Sequence, residues 1–91
     1  MYKYKFESII IIQPELEQEA RSDIVREINK IVENSIVKDI GLKKLAYEVK
    51  GNKEGYYLLF NFEDITEKIK ILEDYYRQND NILKFITVKL D

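Results

Sequence analysis

The sequence has no cysteine and no histidine, one proline and three glycines. Each scarcity removes a class of function. Without cysteine there is no disulfide framework, no thiolate nucleophile and no thiolate zinc site, and the chain fits an intracellular setting. Without histidine the commonest general base and metal ligand is missing. The remaining hydroxyl nucleophiles, Ser8, Ser22, Ser35, Thr66 and Thr87, sit in no nucleophile elbow or Ser-Lys motif, and a hydroxyl needs an adjacent base before it attacks. The glycines, at positions 41, 51 and 55, match none of the phosphate-cradling spacings and are turn residues. No enzymatic activity and no cofactor are expected. The apolar run Ile9 to Ile12 is far shorter than the roughly 18 residues a membrane span needs, and no signal-peptide pattern precedes it. A soluble, unsecreted protein with no membrane partner is the expectation.

Excess charge of one sign is lacking too. Fifteen Lys and Arg stand against seventeen Asp and Glu, a formal charge of -2. A stand-alone nucleic-acid binder normally carries a basic excess, so RNA binding by this chain would rest on local patches or on a basic partner. Glu15, Glu17 and Glu19 fall where a helix begins, and there they complement the helix dipole better than they would hold a metal. A chain of 91 residues makes one domain, residues 1–91, and at this size roughly 60 to 65% of the unfolded surface is buried.

Lys5 to Ile12 is a β-branched run with Phe6, Ser8, Ile10 and Ile12 on one face and Glu7, Ile9 and Ile11 on the other, the pattern of a strand. Pro14 stops it. Leu16, Ala20, Ile24, Ile28, Ile31 and Val32 then recur at steps of three or four, which predicts a helix over about 15–34 with one apolar stripe. Ser35 to Ile40 is short and β-branched, and Gly41 marks a bulge or kink. Lys43 to Lys50 alternates as a second strand, with Leu45, Tyr47 and Val49 on one face. Gly51 to Gly55 has the composition of a hairpin connection, and Tyr56 to Glu63 returns with Leu58, Phe60 and Phe62 on one side and Tyr57, Leu59 and Asn61 on the other. Asp64 with Glu67 has capping-box spacing before a second helix over about 65–78, whose stripe is Ile65, Ile69, Leu72 and Tyr76. Asn79 to Asn81 is a turn, Ile82 to Leu90 a last strand, and Asp91 leaves essentially no tail.

The order β-α-β-β-α-β predicts an α+β fold, the ferredoxin-like split β-α-β, with a four-stranded antiparallel sheet and two helices on one face. Phe6, Ile10, Ile12, Ile24, Ile28, Leu45, Tyr47, Phe60, Phe62, Leu72 and Phe85 are the expected core. The other sheet face is left open, and Ile9, Ile11, Tyr57 and Leu59 on it amount to more apolar surface than a small monomer usually leaves wet. A partner is expected to cover part of it. At the hairpin, Lys43 and Lys44 lead into the second strand as point charges suited to phosphate and not to a bidentate grip on a base. Tyr56 to Phe60 lacks the basic-Gly-aromatic signature of the RNA-recognition motif, which argues against base readout on the sheet.

Gly41-Leu42-Lys43-Lys44-Leu45-Ala46-Tyr47, together with Gly55-Tyr56-Tyr57, Phe6-Glu7, Pro14 and Asp80-Asn81-Ile82, resembles in order and spacing the bacterial small-ribosomal-subunit protein six family, over nearly the whole chain. The resemblance implies a structural role in the cytoplasmic small ribosomal subunit, binding small-subunit ribosomal RNA together with a small basic ribosomal partner, protein eighteen. It implies RNA-facing roles for Lys5, Lys43, Lys44, Lys84 and Lys89, and it leaves Ile9, Ile11, Tyr57 and Leu59 for a protein partner. The chain departs from the family pattern in two added N-terminal residues, in Ser8 at a usually apolar position, and in lacking a C-terminal extension. A reading of another class is a ferredoxin-like interaction or regulatory module that forms a homodimer and binds no nucleic acid; a self-complementary apolar face would favour it, a face with basic edges the RNA reading. An acylphosphatase-like enzyme would need an Arg in a loop near the first strand. Arg21, Arg26 and Arg77 all fall in the predicted helices.

Overall fold

A computed structural model describes residues 2–90 of the chain, so Met1 and the tail expectation at Asp91 lie outside the described residues. The elements are β1 (Tyr4–Ile12), α1 (Gln18–Ile31), β2 (Ile36–Val49), β3 (Asn52–Asp64), α2 (Glu67–Gln78) and β4 (Ile82–Leu90). The strands form one antiparallel sheet in the order β2-β3-β1-β4. This is the expected ferredoxin-like arrangement.

Period-two alternation in the strands decides which face the helices cover. Phe6 pairs with Phe62, Ser8 with Phe60 and Ile10 with Leu58, and on the other side of β1 Ile10 pairs with Phe85 and Ser8 with Thr87. These residues share a face, and Ile24, Ile28 and Val32 from α1 and Leu72 and Tyr76 from α2 pack on it as one core. Ser8 is fully buried there. Its hydroxyl shares hydrogen bonds with Tyr76 Oη at 2.7 Å and Thr87 Oγ1 at 2.9 Å, so a polar side chain in an apolar position is satisfied across three elements.

The helix starts differ from the expected ones. Leu16 N–H turns back to the Gln13 carbonyl and Arg21 Nη1 takes the Leu16 carbonyl, so the chain makes a turn after Pro14 and α1 begins at Gln18. At α2 the expected capping box is replaced by a clasp. Asp64 Oδ1 accepts the Ile65 N–H and its Oδ2 the Glu33 N–H, while Lys68 Nζ donates to the Ile31 carbonyl. One buried carboxylate thereby ties the end of α1 to the start of α2.

The larger differences lie in the β2–β3 hairpin. The two predicted segments on either side of Gly41 are one strand, with the ladder slipping between Asp39 and Gly41, where Gly41 has φ of +95°. The reversal is a two-residue turn with both central residues left-handed, Lys50 at φ +50° and Gly51 at φ +80°, and Asn52 already lies in β3. Positive φ at both positions is the primed turn that matches strand twist. The hairpin outruns its neighbours: Ile12, the last residue of β1, pairs with Tyr56, and residues 43–54 have no third strand beside them. Two core expectations are corrected for this reason. Tyr47 is 81% exposed and Leu45 only half-buried, because the ladder with β3 slips again between Lys44 and Val49 and no third strand packs over this part of the hairpin. Phe85 is also half-buried, its ring tilted against that of Tyr76 at 5.0 Å between centroids.

Candidate nucleic-acid and partner interface

The sheet register builds the helix-free face row by row. Gly41, Tyr57, Ile11 and Lys84 lie side by side across the four strands, then Lys38, Leu59, Ile9 and Ile86, then Ile36, Asn61, Glu7 and Val88, with Glu63, Lys5 and Leu90 in the last row. At about 4.8 Å between strands, a row is roughly 14 Å wide. Ile9, Ile11, Tyr57 and Leu59 therefore meet as a block of adjacent pairs, as read from the sequence. Ile11 is nearly covered: a side chain at Gly55 would overlap its Cγ2, and Leu45 Cδ2 lies beside the same spot. It forms the floor of the patch more than its surface.

The apolar surface reaches further than the sequence reading took it. Ile86, Val88 and Leu90 on β4 and Ile36 on β2 stand exposed on the same face, Ile86 at 57% and Ile36 at 72%. The alternation in Ile82 to Leu90 carried this signal. Lys38, beside Leu59, is a further cation on this face that was not singled out. Its edge is held by a polar clamp on the helix side, where Tyr56 Oη donates to both Asp39 carboxylate oxygens at 2.6 and 2.8 Å and the Arg21 guanidinium lies 4.0 Å over the Tyr56 ring. The Asp39 hydrogen bond, then burial, holds the Tyr56 hydroxyl above its ordinary pKa.

The five lysines expected to face RNA are not one cluster. Lys5 and Lys84 share the helix-free face, but Lys5 pairs with Leu90 while Lys84 pairs with Ile11. Six residues along the strand separate them, roughly 20 Å. Lys43 pairs with Gly55 on the hairpin, and Lys44, opposite Glu54, falls on the other side of it. Lys89 is on the helix side, its Nζ 4.0 Å over the Tyr4 ring. What the structure does concentrate is charge on the hairpin: residues 43–54 hold four lysines against Glu48 and Glu54, within a chain that is acidic overall. Among the described residues, no group of acidic, Cys or His side chains is arranged to hold a metal, and no helix is long and apolar enough to cross a membrane.

A one-sided sheet with an apolar open face and lysines at its margins defines a class, the ferredoxin-like domain whose exposed surface is sheet and not pocket. The family model described as ribosomal protein S6 matches residues 5–89, and the chain belongs to that family of small-subunit ribosomal proteins. It is 36% identical to the small ribosomal subunit protein bS6 of Helicobacter acinonychis over 94% of this chain and 64% of that protein, so it spans less than two thirds of that relative. With the bS6 protein of Shouchella clausii it shares 33% identity over 93% of this chain and 95% of the relative. The crystal structure of 30S ribosomal protein S6 from Thermotoga maritima matches with a TM-score of 0.88 at 30% identity, covering 97% of this chain and 88% of that one. An uncharacterized protein from the same organism, at 13% identity and a TM-score of 0.59, shares the fold alone.

Proposed function

We propose that the chain acts as a structural component of the bacterial small ribosomal subunit and binds small-subunit ribosomal RNA jointly with the small basic protein eighteen. The observation that carries this reading is the pairing of a net-acidic chain with a broad apolar face that no helix covers. An acidic protein gains RNA affinity when a basic partner adds its field, and burying apolar sheet supplies the attraction between the two. In this reading Ile9, Tyr57 and Leu59 meet the partner over the floor made by Ile11. Lys43 and Lys44 meet phosphate from the hairpin, and Lys5, Lys84 and Lys89 do so from the two ends of the sheet.

The spread of those lysines over both sides of the fold supports backbone contact at several separate points, since phosphates lie all along an RNA and need no single convergent site. The test is a binding titration with small-subunit RNA at near-physiological salt, with and without protein eighteen. Weak binding alone and strong binding with the partner is the expected outcome. Equal affinity in both titrations would defeat joint binding.

A further inference from the structure

We infer that Tyr47 is a stacking platform for an unpaired base of the bound RNA, with Lys43, Lys50 and Lys53 neutralising the phosphates on either side of it; this rests on the RNA-binding reading above. Tyr47 lies near the end of β2, in the stretch between Lys44 and Val49 where the pairing with β3 is irregular, and it is 81% exposed, unusual for so large an aromatic side chain. Its exposure follows from the hairpin running beyond β1, past the last pairing of Ile12 with Tyr56. The ring is thus carried clear of the sheet, on a segment anchored by the Lys44–Glu54 and Val49–Asn52 pairings on either side and by the tight turn beyond.

Charge decides the occupant. The hairpin has a lysine excess in a chain that is otherwise acidic, so a polyanion is favoured at this spot over a second copy of the same protein. RNA adds a chemical reason. Bases within an A-form duplex are closed to side chains, whereas bases in loops, bulges and ends splay out and stack on aromatic rings. A single ring beside several cations is the combination that single-stranded sites use, and it tolerates any base because every base has a π face. Tyr57 is a poorer platform, being half-buried in the sheet between Gly41 and Ile11.

The test compares Tyr47→Phe, Tyr47→Ala and Tyr47→Trp in binding small-subunit ribosomal RNA transcribed in vitro, in the presence of protein eighteen. Stacking is worth a loss of order 5- to 150-fold in affinity for Tyr47→Ala, with Tyr47→Phe close to wild type. The slope of log affinity against log salt should be the same for all variants, because no charge changes. Thermal unfolding midpoints should match, since the side chain is exposed. The chain contains no tryptophan, so Tyr47→Trp supplies a single reporter whose emission should be quenched as RNA saturates. Wild-type affinity in Tyr47→Ala, or unquenched emission at saturation, overturns stacking and leaves RNA binding standing. A Tyr47→Ala defect that persists with protein eighteen alone assigns the ring to a protein contact and overturns it as well. Failure of the wild-type chain to bind RNA with the partner present removes both readings together.

Discussion

At the scale of single residues, Ser8 shows how a departure from apolar patterning is accommodated. Its hydroxyl sits at the centre of the sheet, bonded to Tyr76 from α2 and Thr87 from β4. Burial is the main cause that pushes the Tyr76 hydroxyl well above its ordinary value of 10.0, while the Ser8 hydrogen bond pulls the other way. Tyrosinate is therefore favoured only after unfolding. The stabilisation is complete below about pH 10 and is lost as pH rises beyond it, where the unfolded chain releases the proton that the folded chain keeps. Tyr76→Phe should flatten this alkaline limb in urea unfolding followed from pH 8 upward, although Tyr75, also raised by burial, will leave part of it. At pH 7 the costs should differ between the two partners. Tyr76→Phe leaves Ser8 bonded to Thr87 and should cost about 0.5 to 1.5 kcal/mol, while Ser8→Ala strands a buried phenol and should cost about 1 to 3 kcal/mol. A Ser8→Ala variant as stable as wild type would mean that the phenol finds another partner. Nothing in the sequence announced this network, because three hydroxyls at 8, 76 and 87 become neighbours only through the sheet register.

At the scale of elements, the hairpin divides what could be read from what could not. Alternation identified both faces of β1 and β3 correctly, and the helix stripes that picked out Ile24, Ile28 and Leu72 are in the core. At Leu45 and Tyr47 the same alternation was misleading, because the ladder slips between Lys44 and Val49 and because periodicity says nothing of whether another element arrives to cover a face. The turn was placed too broadly for a related reason. Lys50-Gly51 lacks the Asn-Gly or Asp-Gly signal of the primed turn, and Lys50 takes the left-handed conformation without the side chain that favours it. Lys43 and Lys44, on opposite sides of this element, both stand exposed. Contact with phosphate by each predicts that changing both to Ala lowers the magnitude of the log-affinity against log-salt slope by up to about two, while thermal stability stays nearly constant. Binding to RNA with protein eighteen across a salt series measures it. An unaltered slope would put both side chains in solvent and make the basic pair a feature of the hairpin alone.

At the scale of the whole molecule, the question is what covers the helix-free face. Helices close one side of the sheet over a buried core, while Ile86, Val88, Leu90 and Ile36 stay exposed on the other beside Ile9 and Leu59. Two occupants fit an apolar sheet surface: a second copy of the chain or a different protein. Self-pairing would bring together two copies of a net-acidic chain, and like net charges oppose it; on the face itself Glu7 and Glu63 stand among Lys5, Lys38 and Lys84. A basic partner meets the net charge of the whole chain with favourable sign and can pair with Glu7 and Glu63 while the apolar residues are buried. Ile86 is the residue to change, since at 57% exposure it contributes to the surface and little to the core. Ile86→Asp should leave the unfolding midpoint in place and weaken binding of protein eighteen by roughly tenfold or more, about 1.4 kcal/mol. Sedimentation equilibrium of the wild-type chain alone should give a monomer. A wild-type dimer that Ile86→Asp dissociates would turn this face into a self-association surface, and partner binding unchanged by the same substitution would move protein eighteen to another part of the fold.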